Sequence, residues 1–250
     1  SLALASSFVF SKSALNHLTI VQFGLIWFSM GALWNAFWFF SRSEYRQISA
    51  DPWRITALAL MIAILEAAAT GLFYMAIQSM ENPAVVSFIG NIGPVFVTIM
   101  GIALLKERFR NIQLAGVVMT LAGIFVINYR KGGFAGFLDP GSFYVIAASL
   151  LFSVATIAGR GYHRLLVPSY MSLLRSFLLA AFMGFLFLGE RTIPPISGSV
   201  WRDLLLGSLL ETLIVIVFAY QALKLIEAAR TSLIISTKGV WTLLLAWIFL

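Results

Sequence analysis

The sequence predicts an all-α polytopic membrane fold. Two five-helix repeats of opposite orientation make ten helices in all, with nine present here, the first truncated and the tenth missing. Three observations predict it. The composition is too apolar for a water-facing surface, the chain breaks into nine apolar runs with short polar joints, and it resembles itself at an offset of 146 to 148 residues.

Apolar residues make up 60% of the 250 and charged residues only 11%. A soluble domain carries about 25% charged residues, and its exposed surface grows with mass, so this chain cannot cover such a surface. Its mean hydropathy of +0.94 assigns the outer surface to lipid. The lack of cysteine excludes disulfides, thiolate metal sites and cysteine nucleophiles. The net charge of +7 does not imply nucleic acid, because in a membrane protein the position of each Lys and Arg matters more than their sum.

The spans read, in order, as residues 1–15, 18–40, 55–78, 83–105, 112–129, 141–160, 168–188, 203–226 and 228–250. A spanning helix needs roughly 20 apolar residues, whereas a barrel strand needs about 10 in alternation, so these are helices. Span 1 starts inside the apolar run Leu2–Phe10, and the chain stops on Trp247-Ile248-Phe249-Leu250, so both ends read as cut. The joints are Arg42–Arg54, Glu81-Asn82-Pro83, Lys106–Arg110, Arg130–Pro140, Gly161–Val167, Glu190–Ser199 and Glu227. None is long enough for a folded soluble domain.

Joints between even and odd spans hold Arg42, Arg46, Arg54, Lys106, Arg108, Arg110, Arg160, Arg164, Lys224 and Arg230; the opposite joints hold Arg130, Lys131, Arg191 and Arg202. This asymmetry puts the first set, and the N-terminus, on the cytoplasmic side of a multi-pass cell (inner or cytoplasmic) membrane protein.

At a shift of 146, Tyr74, Ala76, Glu81, Ile89, Gly93, Ile102 and Leu104 fall on Tyr220, Ala222, Glu227, Ile235, Gly239, Ile248 and Leu250. At 148, Trp53-Arg54 falls on Trp201-Arg202 and Lys12 on Arg160. Span 1 therefore maps onto span 6, giving a first repeat at 1–130 and a second at 141–250. An odd number of helices per repeat turns the second copy upside down, the hallmark of transporters that open to either side. The first copy ends near Tyr129, so a tenth helix would end near position 275, at the same 146-residue offset.

The stretch ENPAVVSFIGNIGPVFVTIMGIALLKERFRNIQLAGVVMTLAGIFVI resembles the EamA-type signature of the drug/metabolite transporter superfamily. The matching elements are Pro94-Val95, then Leu105-Lys106-Glu107-Arg108, then Gln113, Gly116 and Gly123; the opening Ala5–Lys12 is similar to the family's first helix. Span 2 has Trp27 where such proteins often carry Arg, although the related position in span 7 is Arg175, and Val240 stands where the repeat would place a second Pro94. The resemblance implies ten helices in two inverted bundles around a cavity lined mainly by spans 1, 3, 4, 6, 8 and 9. It also implies movement of small metabolites, amino acids or drugs without ATP hydrolysis.

Glu66, Arg175, Glu211 and Lys238 fall near the middle of spans, where each costs roughly 2.5–3.5 kcal/mol on insertion scales. Such charges persist as ion pairs that lock the bundle or as a site for substrate or ion. Span 7 is peripheral in the implied architecture, so Arg175 is either structural or on the path. Ser87, Asn91, Pro94 and Thr98 share one helical face on span 4, with Pro94 freeing a carbonyl beside it. Thr231, Lys238 and Thr242 form a second stripe on span 9. Together they predict a substrate or ion path through Glu66, Ser87, Asn91, Thr98, Glu211, Lys238 and Thr242. Glu66 and Glu211 would take a cationic group or a coupling proton and Lys238 an anionic group, since carboxylates in low dielectric exchange protons near neutral pH.

Tyr74 and Tyr220 are symmetry mates that can gate the cavity or anchor at the interface. Trp27, Trp34 and Trp38 share a face and read as lipid or packing contacts. His17 and His163 sit in or beside joints without ligand spacing or nucleophile motif, so neither a metal, a cofactor nor an enzyme is expected. The competing readings are a lipid or lipid-linked carrier flippase and, less well supported, a membrane-embedded enzyme. The expected partners are the bilayer and a small-molecule substrate, with possible proton coupling and no nucleic acid.

Overall fold

The structure is a computed structural model that describes residues 1–48, 51–80, 86, 89–107, 115–116, 118–119, 121–123, 140–190, 195–238, 240–241 and 244–245. Its longer helices are α1 (Leu2–Leu15), α2 (Ile20–Ser41), α3 (Pro52–Ser79), α4 (Gly93–Leu105), α5 (Pro140–Gly161), α6 (Pro168–Glu190), α7 (Gly198–Leu225) and α8 (Ala228–Ser236). α1–α4 correspond to spans 1–4 and α5–α8 to spans 6–9; most of span 5 lies outside the described residues. α2, α3, α5, α6 and α7 are each long and apolar enough to cross a membrane. No strand occurs among the described residues, and the protein is an all-α, multi-span membrane protein.

Local chemistry sets the helix ends. Thr19 and Gln22 form a capping box before α2, each side-chain oxygen accepting the other's backbone N–H at 3.2 and 3.1 Å. Asp51 caps α3 ahead of Pro52, whose missing N–H costs nothing in a first turn. α7 starts at Gly198, five residues before the expected 203, and carries Arg202 and Asp203 inside it. Asp203 tolerates this because Ser13 Oγ donates to it at 2.7 Å and Arg202 pairs with it at 3.0 Å.

α4 starts at Gly93, and the span read as continuous from 83 is interrupted just before it: Val86, Ile89 and Gly90 are helical too. Asn91 and Ile92 form a turn before it. The cause is Pro94, which lacks an N–H and crowds the carbonyl four residues back. That carbonyl belongs to Gly90, and Ser149 Oγ of α5 donates to it at 3.4 Å. At the other end Lys106 is left-handed (φ 55°), and the Glu107 N–H donates to the Gly101 carbonyl at 3.0 Å, closing a Schellman motif.

The bundle is apolar outside and carries buried polar groups among its apolar interior. Leu33, Phe37, Phe143, Phe185 and Leu188 are exposed, whereas Arg175, Asp203, Ser153, Ser172 and Thr212 are buried. This suits a lipid surround and a hydrogen-bonded interior. α2 packs mainly on α6, α3 on α5 and α6, α1 on the first part of α7, and α4 on α5 and α8. The caps of α3, Asp51 and Met80, stand 146 residues before those of α7, Ser197 and Ile226. Toward the end that carries Lys106, Arg160 and Arg230, the interior is filled by Leu58, Ile62, Val97, Ala155, Met171, Leu223 and Ala228.

Candidate functional site

A single guanidinium organises the middle of the bundle. Arg175, on α6, has 2% of its surface exposed. Its Nε lies 3.4 Å from Glu66 Oε2 of α3, and its Nη2 lies 3.3 Å from Glu211 Oε1 of α7. Nη2 also donates to Thr70 Oγ1 at 3.1 Å. The outer oxygens of both acids are held as well: Tyr220 Oη donates to Glu66 Oε1 at 2.6 Å, and Trp27 Nε1 donates to Glu211 Oε2 at 3.0 Å. Three of the four carboxylate oxygens accept hydrogen bonds, and Glu66 Oε2 meets Arg175 as an ion-pair contact without a hydrogen bond among the described residues.

Arg175, left open in the sequence as structural or on the path, reaches the middle of the bundle from span 7. Its helix packs against α2 on the flank of the bundle, but the long side chain carries its charge to the centre. Of the two readings of the tryptophan stripe, lipid or packing, Trp27 and Trp34 take packing: Trp27 is fully buried and Trp34 Nε1 donates to Ser208 Oγ at 3.3 Å, so both turn to α7. Positions 27 and 175, mates under the 148-residue offset, both donate to Glu211.

The backbone of α7 adapts to this arrangement. Leu209–Val215 form a π-helical segment that contains Glu211, and π turns leave carbonyls to be satisfied from outside the helix. Here the Thr212 carbonyl accepts from Asn35 Nδ2 at 3.0 Å and from Ser172 Oγ. Close approach of α2 depends on two glycines. A Cβ on Gly207 would lie 2.2 Å from Trp27 Cη2, and one on Gly31 would lie 2.7 Å from Thr212 Cγ2.

Beside the charged cluster is a cavity of about 220 Å3. It is lined by Leu4 and Phe8 of α1, by Glu66, Thr70, Phe73 and Tyr74 of α3, and by residues of α4, α5 and α7. α8 adds Thr231, Ser232, Ile235 and Ser236, followed by Lys238. The Lys238 Nζ lies 5.4 Å from the Phe8 ring centre and 6.0 Å from that of Phe73. Glu66, Asn91, Pro94, Arg175, Glu211, Lys238, Tyr74 and Tyr220 all line this one space. Asn91 Oδ1 is buried with no hydrogen-bond partner among the described residues.

Thr98 is not brought to the cavity: it is buried and its hydroxyl donates to the Pro94 carbonyl of its own helix at 2.7 Å. Ser87 and Thr242 lie outside the described residues. Tyr220 is held by Glu66, while Tyr74 packs edge-on against Phe23 and Phe28. His163 Nδ1 lies 3.1 Å from the Arg160 carbonyl, away from the cavity lining.

Sequence reasoning passed over Glu107 as a site residue. The left-handed Lys106 turns the chain so that Glu107 Oε1 accepts the Ala228 N–H at 3.0 Å, at the first residue of α8. Arg160 Nη1 donates to the Leu223 carbonyl at 2.9 Å beside it. These contacts tie α4, α5, α7 and α8 together below the cavity. The signal was present in Leu105-Lys106-Glu107, but a motif does not say which neighbour its carboxylate meets.

The family model described as the EamA-like transporter family matches residues 1–129 and 139–250. A solved crystal structure is similar with a TM-score of 0.75, at 19% sequence identity, over 99% of this chain and 84% of that chain. That likeness is one of fold. Among curated proteins, none matches the sequence.

Proposed function

The chain belongs to the EamA-like transporter family, and on that premise we propose that it is a secondary transporter moving a small metabolite, amino acid or drug-like compound. Transport runs by alternating access between two inverted five-helix repeats, 1–130 and 141–250, in a cell membrane with the N-terminus cytoplasmic. The observation that carries this reading is the cavity of about 220 Å3, which gathers Glu66 from the first repeat with Arg175, Glu211 and Lys238 from the second. Buried charges of both signs around a space at the junction of two halves are what a midplane solute site requires. Matching offsets of 146 between the caps of α3 and α7 support the repeat. The carboxylates are the groups able to carry a coupling proton.

Counterflow in proteoliposomes tests the reading. Vesicles holding the full-length protein and preloaded with a small-metabolite mixture are given labelled tracers one at a time. Transient accumulation of a tracer, absent from empty vesicles, is expected. Fluorescent lipid scrambling without accumulation of any solute would instead support the flippase reading.

A further inference from the structure

We propose that Tyr220 and Tyr74 are positioning residues for the transport cycle. Each ties the two repeats together in one facing state by donating to an acid of the other repeat: Tyr220 to Glu66 here, Tyr74 to Glu211 in the opposite state. The inference rests on the carrier reading and deepens it by naming the contacts that change hands between the two states.

The two acid–tyrosine pairs are equivalent by position. Tyr74 follows Glu66 by eight residues on α3, and Tyr220 follows Glu211 by nine on α7. The π segment Leu209–Val215 overlaps the second interval, and a π turn takes one residue more than an α turn. It absorbs the extra residue, so acid and tyrosine keep the same relative facing on both helices. Their surroundings are equivalent as well. Tyr220 packs in the buried cluster at the Lys106 end with Leu58, Leu166 and Met171. Tyr74 packs in a second cluster with Leu204, Leu18 and Phe23, which pair with those three at offsets of 146, 148 and 148. α3 runs from Leu58 in the first cluster to Tyr74 in the second, and α7 from Leu204 in the second to Tyr220 in the first. The clusters therefore occupy opposite ends of the bundle.

These equivalent ends are in unlike states. At the Lys106 end Tyr220 Oη donates to Glu66 Oε1 at 2.6 Å, joining α7 to α3. The cluster there also takes in Val97 of α4 and Ala228 of α8, whereas the second cluster takes in neither helix among the described residues. At that second end Tyr74 makes edge-on ring contacts with Phe23 and Phe28, and its hydroxyl has no hydrogen bond among the described residues. Glu211 Oε2 accepts from Trp27 instead. One bond made and its mate unmade is the asymmetry that closure at one end requires. Inverted repeats reach the opposite state by exchanging roles, which breaks the Tyr220 bond and makes the Tyr74 bond. Tyr74 and Glu211 line the same cavity, and Glu211 Oε2 has a lone pair left beside Trp27. Arg175 contacts both acids, so it stays paired whichever tyrosine is bound.

Thiol accessibility in proteoliposomes of one orientation tests this. The probe is a membrane-impermeant maleimide on full-length protein carrying Ser232→Cys, a position that lines the cavity, with any other cysteine replaced. The readout is the rate of labelling from the Lys106 side divided by the rate from the opposite side. A hydrogen bond to a charged group is strong enough to move a two-state ratio about tenfold. Tyr220→Phe should raise the ratio by about that factor, and Tyr74→Phe should lower it by a similar one. The double variant should return near the starting ratio, because each state has then lost one bond. A general loosening of the packing would not give opposite shifts that cancel. Shifts of the same sign, no shift in either single variant, or a double variant far from the starting ratio would each overturn the proposal. Any of these with labelling from both sides removes this inference and leaves the carrier reading. Labelling from one side only in all four proteins removes the alternating-access reading itself, and this inference with it.

Discussion

Arg175 is placed where its loss leaves two buried carboxylates facing each other without a cation. Removing one partner of a buried ion pair costs about 3–5 kcal/mol, and here two pairs share the partner. Arg175→Gln should therefore lower the thermal midpoint in detergent sharply, and adding Glu66→Gln should recover part of the loss by removing one stranded charge. Equal stability of wild type and Arg175→Gln would show that the two acids do not depend on the guanidinium. The sequence exposed all four intramembrane charges, because an ionised group in an apolar run stands out. It did not expose their connections. Arg175 lies on a flanking helix, and only the reach of its side chain makes it central.

At the level of the element, α7 is governed by contact with α2. Gly207 admits the Trp27 indole, and the Thr212 carbonyl, in the π segment, is satisfied by Asn35 and Ser172. Gly207→Ala would press a methyl to within 2.2 Å of the Trp27 ring. The expected cost is about 1–3 kcal/mol, with loss of the Trp27 bond to Glu211. Combined with Trp27→Leu, Gly207→Ala should cost much less than the sum of the two single changes, a coupling that thermal unfolding of the four proteins measures. Strict additivity would contradict the contact. Pro94 and the carbonyl it frees were legible, although the span reads as unbroken from 83 to 105. The π segment was not. It shifts the backbone register by one residue without altering the hydropathy profile, and its stabilising donors come from other helices.

For the whole molecule, composition and run length sufficed for an all-α membrane bundle, and the Pro94 and Leu105–Arg108 motifs for its family. Among the described residues, spans 1 to 3 and 6 to 8 were placed to within a few residues, except at the start of α7, where charge intervened. What stayed hidden is how the interior closes. The tie from Glu107 to the start of α8, and the packed Leu58, Ile62, Val97 and Leu223 cluster, join residues far apart in the chain through contacts that periodicity does not encode. If the protein works by alternating access, these contacts form and break in turn, and the cavity faces each side of the membrane in succession. These 250 residues contain no cysteine, so a single reporter thiol placed among them, with any cysteine outside them replaced, reads this directly. Ser232 lines the cavity from α8. In Ser232→Cys proteoliposomes, a membrane-impermeant thiol reagent is applied from one side and then from the other, with and without a transported solute. The account predicts labelling from both sides, at rates that the solute changes. Labelling from one side only, whatever solute is present, would contradict it.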